Sequence, residues 1–299
     1  MDTQNLLAFL QVAQDSSFSQ AAQRLHLTQP AVSKRIAQLE QQLNSRLFDR
    51  IGRQVELTEA GRALLPHART VIQQLDMARQ AVQDLTGEVS GKLRLATSHH
   101  IGLHRLPPVL SAFKHNFTAV QVDIEFMDSE QAYDLIHQGR AELAIVTLAP
   151  VSDSSIISRS IWPDPLDIMV CKTHPLAGDN NSSLSTLATY PAVLPGLNTY
   201  TGQIVKALFD QHALPLQVSM ATNYLETIRM LAAVGLGWTV LPRSMGDGSL
   251  QALTVKGITI ERTLGVIYHQ GRSLSRAAQA FLTVLESVFL QSNPVASRV

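Results

Sequence analysis

Ser17-Phe18-Ser19-Gln20-Ala21-Ala22-Gln23-Arg24-Leu25-His26-Leu27-Thr28-Gln29-Pro30-Ala31-Val32-Ser33-Lys34-Arg35 is the stretch on which the fold turns. Ser17 and Gln20 have the spacing of a capping box, in which the two side chains satisfy reciprocal backbone N–H groups, so a short helix is expected through Ala21, Ala22 and Leu25. His26-Leu27 interrupts it. Thr28 is a good N-cap and Pro30 falls in a first turn, where its missing N–H costs nothing, so a further helix starts there and carries Val32, Ile36, Leu39 and Leu43 inward. Upstream, Leu6, Leu7, Phe9, Leu10 and Ala13 recur at helical spacing until Asp15-Ser16-Ser17. Two short helices separated by about three residues, with small Ala21 and Ala22 allowing a close crossing, make a helix-turn-helix. A plain three-helix bundle with an idle polar face is the alternative.

Working outward, charge favours the first of these. The chain has 299 residues, with 24 Lys+Arg against 24 Asp+Glu, yet residues 20–53 hold Arg24, Lys34, Arg35, Arg46, Arg50 and Arg53 against only Glu40 and Asp49. A local excess of positive charge on an otherwise acidic chain is the footprint of phosphate binding. The outward face of the later helix would present Thr28, Gln29, Ser33 and Lys34, with Arg35 alongside; Gln suits an adenine edge and Lys a phosphate or guanine. Leu47 to Thr58 then reads as a tight hairpin around Gly52, a wing carrying Arg50 and Arg53 toward phosphates or a minor groove.

Phe18-Ser19-Gln20-Ala21-Ala22, Leu27 to Ser33, Leu39-Glu40, Leu47-Phe48-Asp49-Arg50 and Leu57-Thr58-Glu59-Ala60-Gly61, taken in this order, resemble the LysR-type transcriptional regulators. The resemblance implies a winged helix-turn-helix on duplex DNA, with Thr28, Gln29, Pro30, Ser33 and Lys34 on its reading helix and Arg50 and Arg53 on its wing; Ser17 and Arg35 complete the expected contact set. It also implies a homodimer or homotetramer.

A long helix is expected after Thr58, with Ala68, Val71, Leu75, Ala78, Val82 and Leu85 alternating by three and four as a coiled-coil seam does; a helix packed on its own domain is the alternative, since two of these positions are Ala. Gly87 to Gly91 closes it as a hinge. The expected domains are therefore a winged helix-turn-helix at 1–58, a linker and dimerisation helix at 59–88, and an effector domain at 91–299.

Beyond the hinge, strand-like and helical segments alternate. Lys92 to Thr97 and Val120 to Phe126 alternate polar with apolar, Leu143 to Val146 is continuously apolar, and helices through Phe113 and through Tyr133 and Ile136 separate them, giving a βαβαβ unit. Further short runs at Leu166 to Val170, Ala192 to Leu194, Gln217 to Ala221, Trp238 to Leu241 and Leu264 to Tyr268 make the body α/β. The resemblance implies a periplasmic-binding-protein-like pair of lobes, 91–161 with 265–299 and 162–264, crossed near 161–165 and 260–264.

In such folds a ligand sits at the carboxyl ends of the strands. That rule selects Ser98, His99, His100, Thr147, Thr199, Thr201 and Asn223, small hydrogen-bonding groups suited to a small anion or polar metabolite. Ser98 and Thr201 also stand where they could simply cap helices. His100 and His104, four apart on a helix, invite a metal, but no Cys or acidic partner is near in sequence and Pro107-Pro108 restarts the helix, so no metal and no cofactor is expected. Gly235-Leu236-Gly237 precedes a strand instead of following one and reads as a helix-to-strand turn, not a dinucleotide loop, although the resemblance carries a smaller aliphatic residue where Trp238 stands.

Other classes fall away. No run approaches the roughly 18 apolar residues of a membrane span, the start has no basic segment followed by an apolar one, and Cys171 is alone, so a cytoplasmic protein without a membrane partner is expected. No hydrolase, metalloprotease, Walker or Cys-x-x-Cys motif is present, and an enzyme is not expected. The reading is a DNA-binding regulator whose effector alters the spacing of its DNA-binding heads, and through it DNA bending or RNA polymerase contact. The alternatives are a binding protein with an oligomerising head, or an enzyme in the lobes.

Overall fold

The computed structural model describes residues 2–51, 54–83, 88–178 and 182–292. The chain divides into two compact units, 1–87 with 138–140, and 88–137 with 141–299.

The head is built from α1 (Thr3–Asp15), α2 (Phe18–Arg24), α3 (Gln29–Leu43), the hairpin β1 (Phe48–Ile51) and β2 (Gln54–Leu57), and α4 (Glu59–Gln83). Asp2, Ser17 and Thr28 each accept a backbone N–H at the start of the following helix, while Ser16 and Asn44 end α1 and α3 in the left-handed conformation. His26 is also left-handed and supplies the sharp break between α2 and α3. One core gathers Phe9, Phe18, Val32, Ile36, Leu39, Leu47 and Phe48, with Ala21 and Ala22 buried where α2 crosses its neighbours.

Leu47 is the node that joins the later elements. Its N–H donates to the Glu40 carboxylate at 2.8 Å and its carbonyl accepts from the Thr58 N–H at 3.1 Å. The Thr58 hydroxyl donates to the Arg46 carbonyl at 2.6 Å and also accepts the Gly61 N–H at the start of α4. A side chain at Gly61 would meet the Leu47 carbonyl at 2.2 Å, so only glycine lets α4 approach. Leu39-Glu40, Leu47-Phe48 and Leu57 to Gly61 thus meet in one place.

The second unit begins with the expected βαβαβ: β3 (Gly91–Thr97), α5 (His99–His104), α6 (Leu106–Asn116), β4 (Val120–Phe126), α7 (Ser129–Gln138) and β5 (Leu143–Thr147), with β3 parallel to both β4 and β5. The helix break falls at Arg105, just before Pro107-Pro108, and Gly139 ends α7 with a positive φ.

Then comes β6 (Ile156–Cys171), followed by α8 (Leu184–Leu187), β7 (Ala192–Leu194), α9 (Tyr200–Gln211), β8 (Val218–Ala221), α10 (Leu225–Ala233), β9 (Thr239–Pro242), β10 (Leu250–Leu253), β11 (Ile260–His269) and α11 (Arg276–Ser292). The main sheet runs β10-β6-β11-β5-β3-β4 with β9 also on β6, and β7-β8 form a second, parallel pair.

Two expectations are corrected, and the elements that carry the crossings are identified. The strand expected at Leu166 to Val170 begins ten residues earlier, at Ile156, because Pro163 and Pro165 read as breaks yet lie inside an extended segment paired with Thr263 and Glu261. The crossings expected near 161–165 and 260–264 are these two long antiparallel strands themselves, with a register shift at Leu264/Gly265. Ala68, the first residue of the proposed α4 seam, is instead buried in the head core. The loop residues Gly52 and Arg53, the seam residue Leu85 and the hinge residue Gly87 lie outside the described residues.

Each lobe has its own apolar cores. Leu93, Leu95, Leu143, Ile145 and Val266 pack with Phe113 and Phe281 on one side of the first lobe's sheet, and Ala96, Ala144, Val146 and Ile136 on the other. In the second lobe, Val170, Leu194 and Val240 pack around Trp238. The Trp238 ring is fully buried, stacks on Phe209 at 5.6 Å and donates its Nε1–H to the Tyr190 carbonyl, so the larger residue is accommodated within the core.

Candidate functional site

Two surfaces carry chemistry. In the head, Thr28, Gln29, Pro30 and Lys34 are exposed on the first turns of α3, opposite buried Val32 and Ile36, with Ser33 and Arg35 half-buried beside them. Gln29 donates its amide to the Ser33 hydroxyl at 3.2 Å, so these two form a hydrogen-bonding pair on one helical face. Thr28 and Ser17 are occupied as helix caps. Arg50 lies on β1, and Arg53 is not among the described residues.

In the two-lobed unit, the strand ends of both lobes converge on one narrow cavity of about 50 Å³, room for a few water molecules. Its lining includes all seven residues selected from strand ends: Ser98, His99, His100, Thr147, Thr199, Thr201 and Asn223. Asp128, Ser129, Glu130, Tyr200 and Arg262 also face it. The strand-end rule applies to 127–130 after β4 as much as to the other strands and would have found Asp128 to Glu130. Arg262, inside a strand, had no such signal.

The two alternative capping roles divide. Ser98 occupies the N-cap position of α5 but its side chain makes no capping bond. Thr199, not Thr201, caps α9: its hydroxyl accepts the Gly202 N–H and donates to the Gly196 carbonyl. Thr201 instead accepts a 2.8 Å bond from Arg262.

Arg262 and Asp164 face each other across the long strands, almost completely buried, with the Arg262 Nε 2.8 Å from the Asp164 carboxylate. Arg105 adds a 3.4 Å contact to the same carboxylate. The floor of the cleft is thus a compensated ion pair on the two strands that join the lobes.

Side chains also close the cleft from lobe to lobe. The Asp128 carboxylate accepts from the Asn223 amide at 2.6 Å, whose Oδ1 accepts the Gly196 N–H. The Glu130 carboxylate accepts the Tyr200 N–H in the first turn of α9, and burial raises the pKa of Glu130. His99 packs against Phe126 of one lobe and Tyr224 of the other. His100 is buried, and burial, reinforced by Arg262, lowers its pKa to about 4, so the ring is neutral. The fold also supplies the acidic neighbour that His104 lacks in sequence, because Glu226 Oε1 lies 2.9 Å from its Nε2.

Residues 3–62 match the family described as bacterial regulatory helix-turn-helix protein, lysR family, and residues 86–290 match the LysR substrate binding domain. The chain belongs to the LysR family of transcriptional regulators. Among its relatives, the HTH-type transcriptional activator CmpR of Synechocystis is 29% identical over 282 residues, covering 93% of this chain and 92% of that protein. The LysR fold is shared with full-length CbnR in complex with its target DNA, at a TM-score of 0.70 and 19% identity over 96% of this chain and 99% of that one. The CcmR regulatory domain of Synechocystis, in complex with 2-PG, is 25% identical with a TM-score of 0.61, covering 67% of this LysR regulator and 98% of that chain. Among the described residues, no helix is long and apolar enough to cross a membrane.

Proposed function

We propose that this LysR regulator works in the cytoplasm as a dimer or dimer of dimers, reads duplex DNA with α3 and its wing, and responds to a small polar or anionic metabolite taken between its lobes, without turning it over. The observation that carries the reading is the union, in one chain, of an exposed polar face on α3 and a cleft held shut by replaceable side-chain contacts.

On the DNA side, Gln29 and Ser33 serve discrimination, whereas Lys34, Arg50 and Arg53 supply charge to phosphates. On the effector side, a cavity of about 50 Å³ is far below the ~300 Å³ or more that a metabolite site needs, so the lobes must part to admit one. The Glu130 carboxylate sits on the N-terminal turn of α9, where the helix dipole and free N–H groups favour an anion. A carboxylate or phosphate from outside would take over that position. The complex of the CcmR domain with 2-PG supports this class of ligand. Binding would thereby be linked to lobe arrangement and to the spacing of the heads.

Fluorescence anisotropy tests the reading. The full-length protein is titrated with the duplex upstream of its own gene and with a scrambled duplex, each at several salt concentrations. A preference for the native duplex of about 4 kcal/mol or more, shifted by an added metabolite, is the expected outcome. Absence of binding to either duplex would favour the binding-protein alternative, and turnover of a bound metabolite the enzyme.

A further inference from the structure

We infer that His100, His104 and Glu226 form a binding site for a divalent transition-metal ion, best suited to zinc, bridging the two lobes at the cleft. One ligand atom from each residue lies within 4.8 Å of the other two. His100 and His104 stand four apart on α5, their rings 4.8 Å apart, and Glu226 comes from the first turn of α10 in the other lobe. Its Oε1 is 2.9 Å from the His104 Nε2 and 3.9 Å from the His100 Nδ1.

A hydrogen-bonded His–Glu pair needs no metal. The independent observation is His100: its side chain is 5% exposed, and neither ring nitrogen has a hydrogen-bond partner among the described residues. Leaving a buried polar group unsatisfied is costly, so an imidazole held there beside a carboxylate and a second imidazole calls for an occupant. The Arg262 charge nearby is already paired with Asp164 and does not exclude a cation.

Two imidazoles and one carboxylate are the donor set of three-ligand zinc sites that keep a fourth position open. Imidazole nitrogen selects zinc and its transition-metal neighbours over magnesium or calcium. Metal–ligand bonds of about 2.0–2.1 Å bring tetrahedral donors ~3.3 Å apart. The partly exposed side chains of His104 and Glu226 can close the remaining distance by rotation. Of the three residues, His100 also lines the cleft cavity. A metal held there would tether α5 to α10 and favour the closed arrangement; the site itself stands whether or not the cleft takes an effector.

Full-length protein stripped with a chelator is titrated with Zn²⁺ by calorimetry and with Co²⁺ by visible absorption, without DNA or metabolite, so that the result is separate from the regulatory reading. The expected result is one ion per chain with the intense bands of four-coordinate cobalt. Glu226→Gln and His104→Ala should each weaken binding by at least about tenfold, whereas His212→Ala, at the distant end of α9, should leave it unchanged. Failure of the wild-type protein to take up cobalt stoichiometrically overturns the inference, as does undiminished binding by both cluster variants. Unfolding curves in chelator verify that each variant is folded, and His104→Gln replaces any that is not.

Discussion

At the residue scale, Gln29 and Lys34 sit five positions apart on α3, and we propose different tasks for them. Gln29→Ala removes a group able to pair with a base edge and should cost about 1–3 kcal/mol on the native duplex while leaving random DNA nearly unaffected. Lys34→Ala should weaken both and lower the salt slope by about one. Anisotropy titrations over a salt series separate the two, and equal losses on native and random DNA for both variants would sink the division. His100 governs a pH effect of definite sign. Its pKa lies near 4 in the folded chain against an ordinary 6.5, so between those values the unfolded state takes up a proton that the folded state refuses. Stability present above about pH 6.5 is therefore lost as pH falls toward 4, by roughly 3 kcal/mol. Denaturant unfolding in chelator at several pH values should show this loss in the wild type and a flatter profile in His100→Leu; identical profiles would remove His100 as the cause.

At the element scale, the head depends on where α3, the hairpin and α4 meet. The Leu47 backbone bonds to the Glu40 carboxylate and the Thr58 N–H, the Thr58 hydroxyl accepts the Gly61 N–H, and Gly61→Ala would drive a methyl group into the Leu47 carbonyl. We expect it to lower head stability by about 2 kcal/mol, read from the thermal midpoint, and to weaken DNA binding through disorder of the wing. A variant as stable as the wild type would show that α4 can shift freely. In the lobes, Asp164 lies opposite Arg262 between Pro163 and Pro165. Removing one partner of a buried pair strands the other charge, so Asp164→Asn should cost about 3 kcal/mol in denaturant unfolding. A negligible change would mean that the pair contributes little to joining the strands. The sequence foretold the elements of the head because each carries a local device, a cap, a proline or a small-residue crossing. It did not foretell the length of β6, because two prolines look like breaks until the partner strand is known.

At the scale of the whole molecule, we propose the exposed stripe on α4 as the face on which a second chain packs. Val71, Leu75 and Val82 are 42%, 39% and 67% exposed, while Ala68 one turn earlier is buried in the head. Leu75→Asp should therefore shift the assembly toward smaller species in sedimentation velocity while the head stays folded; an unchanged distribution would place the interface elsewhere. In the cleft, Glu130→Gln removes the carboxylate that accepts the α9 N–H. Once a metabolite that shifts DNA affinity is found, this variant should bind it with altered affinity, and unchanged binding would deny Glu130 its role as the internal occupant.

What the sequence determined by itself is what short-range physics writes into neighbouring residues: the helix-turn-helix from its caps and small crossing residues, the α/β alternation from hydrophobic period, and the cleft residues at strand ends from the polarity of a parallel sheet. All seven cleft residues chosen on that rule line one cavity. Only the tertiary structure decided that Arg262 faces Asp164 across 98 positions, that Glu130 reaches α9 across 70, and that Glu226 meets His104 across 122. Such pairs leave no local periodicity, since the strands and helices that bring them together are positioned by the cores beneath them and not by the residues beside them in the chain.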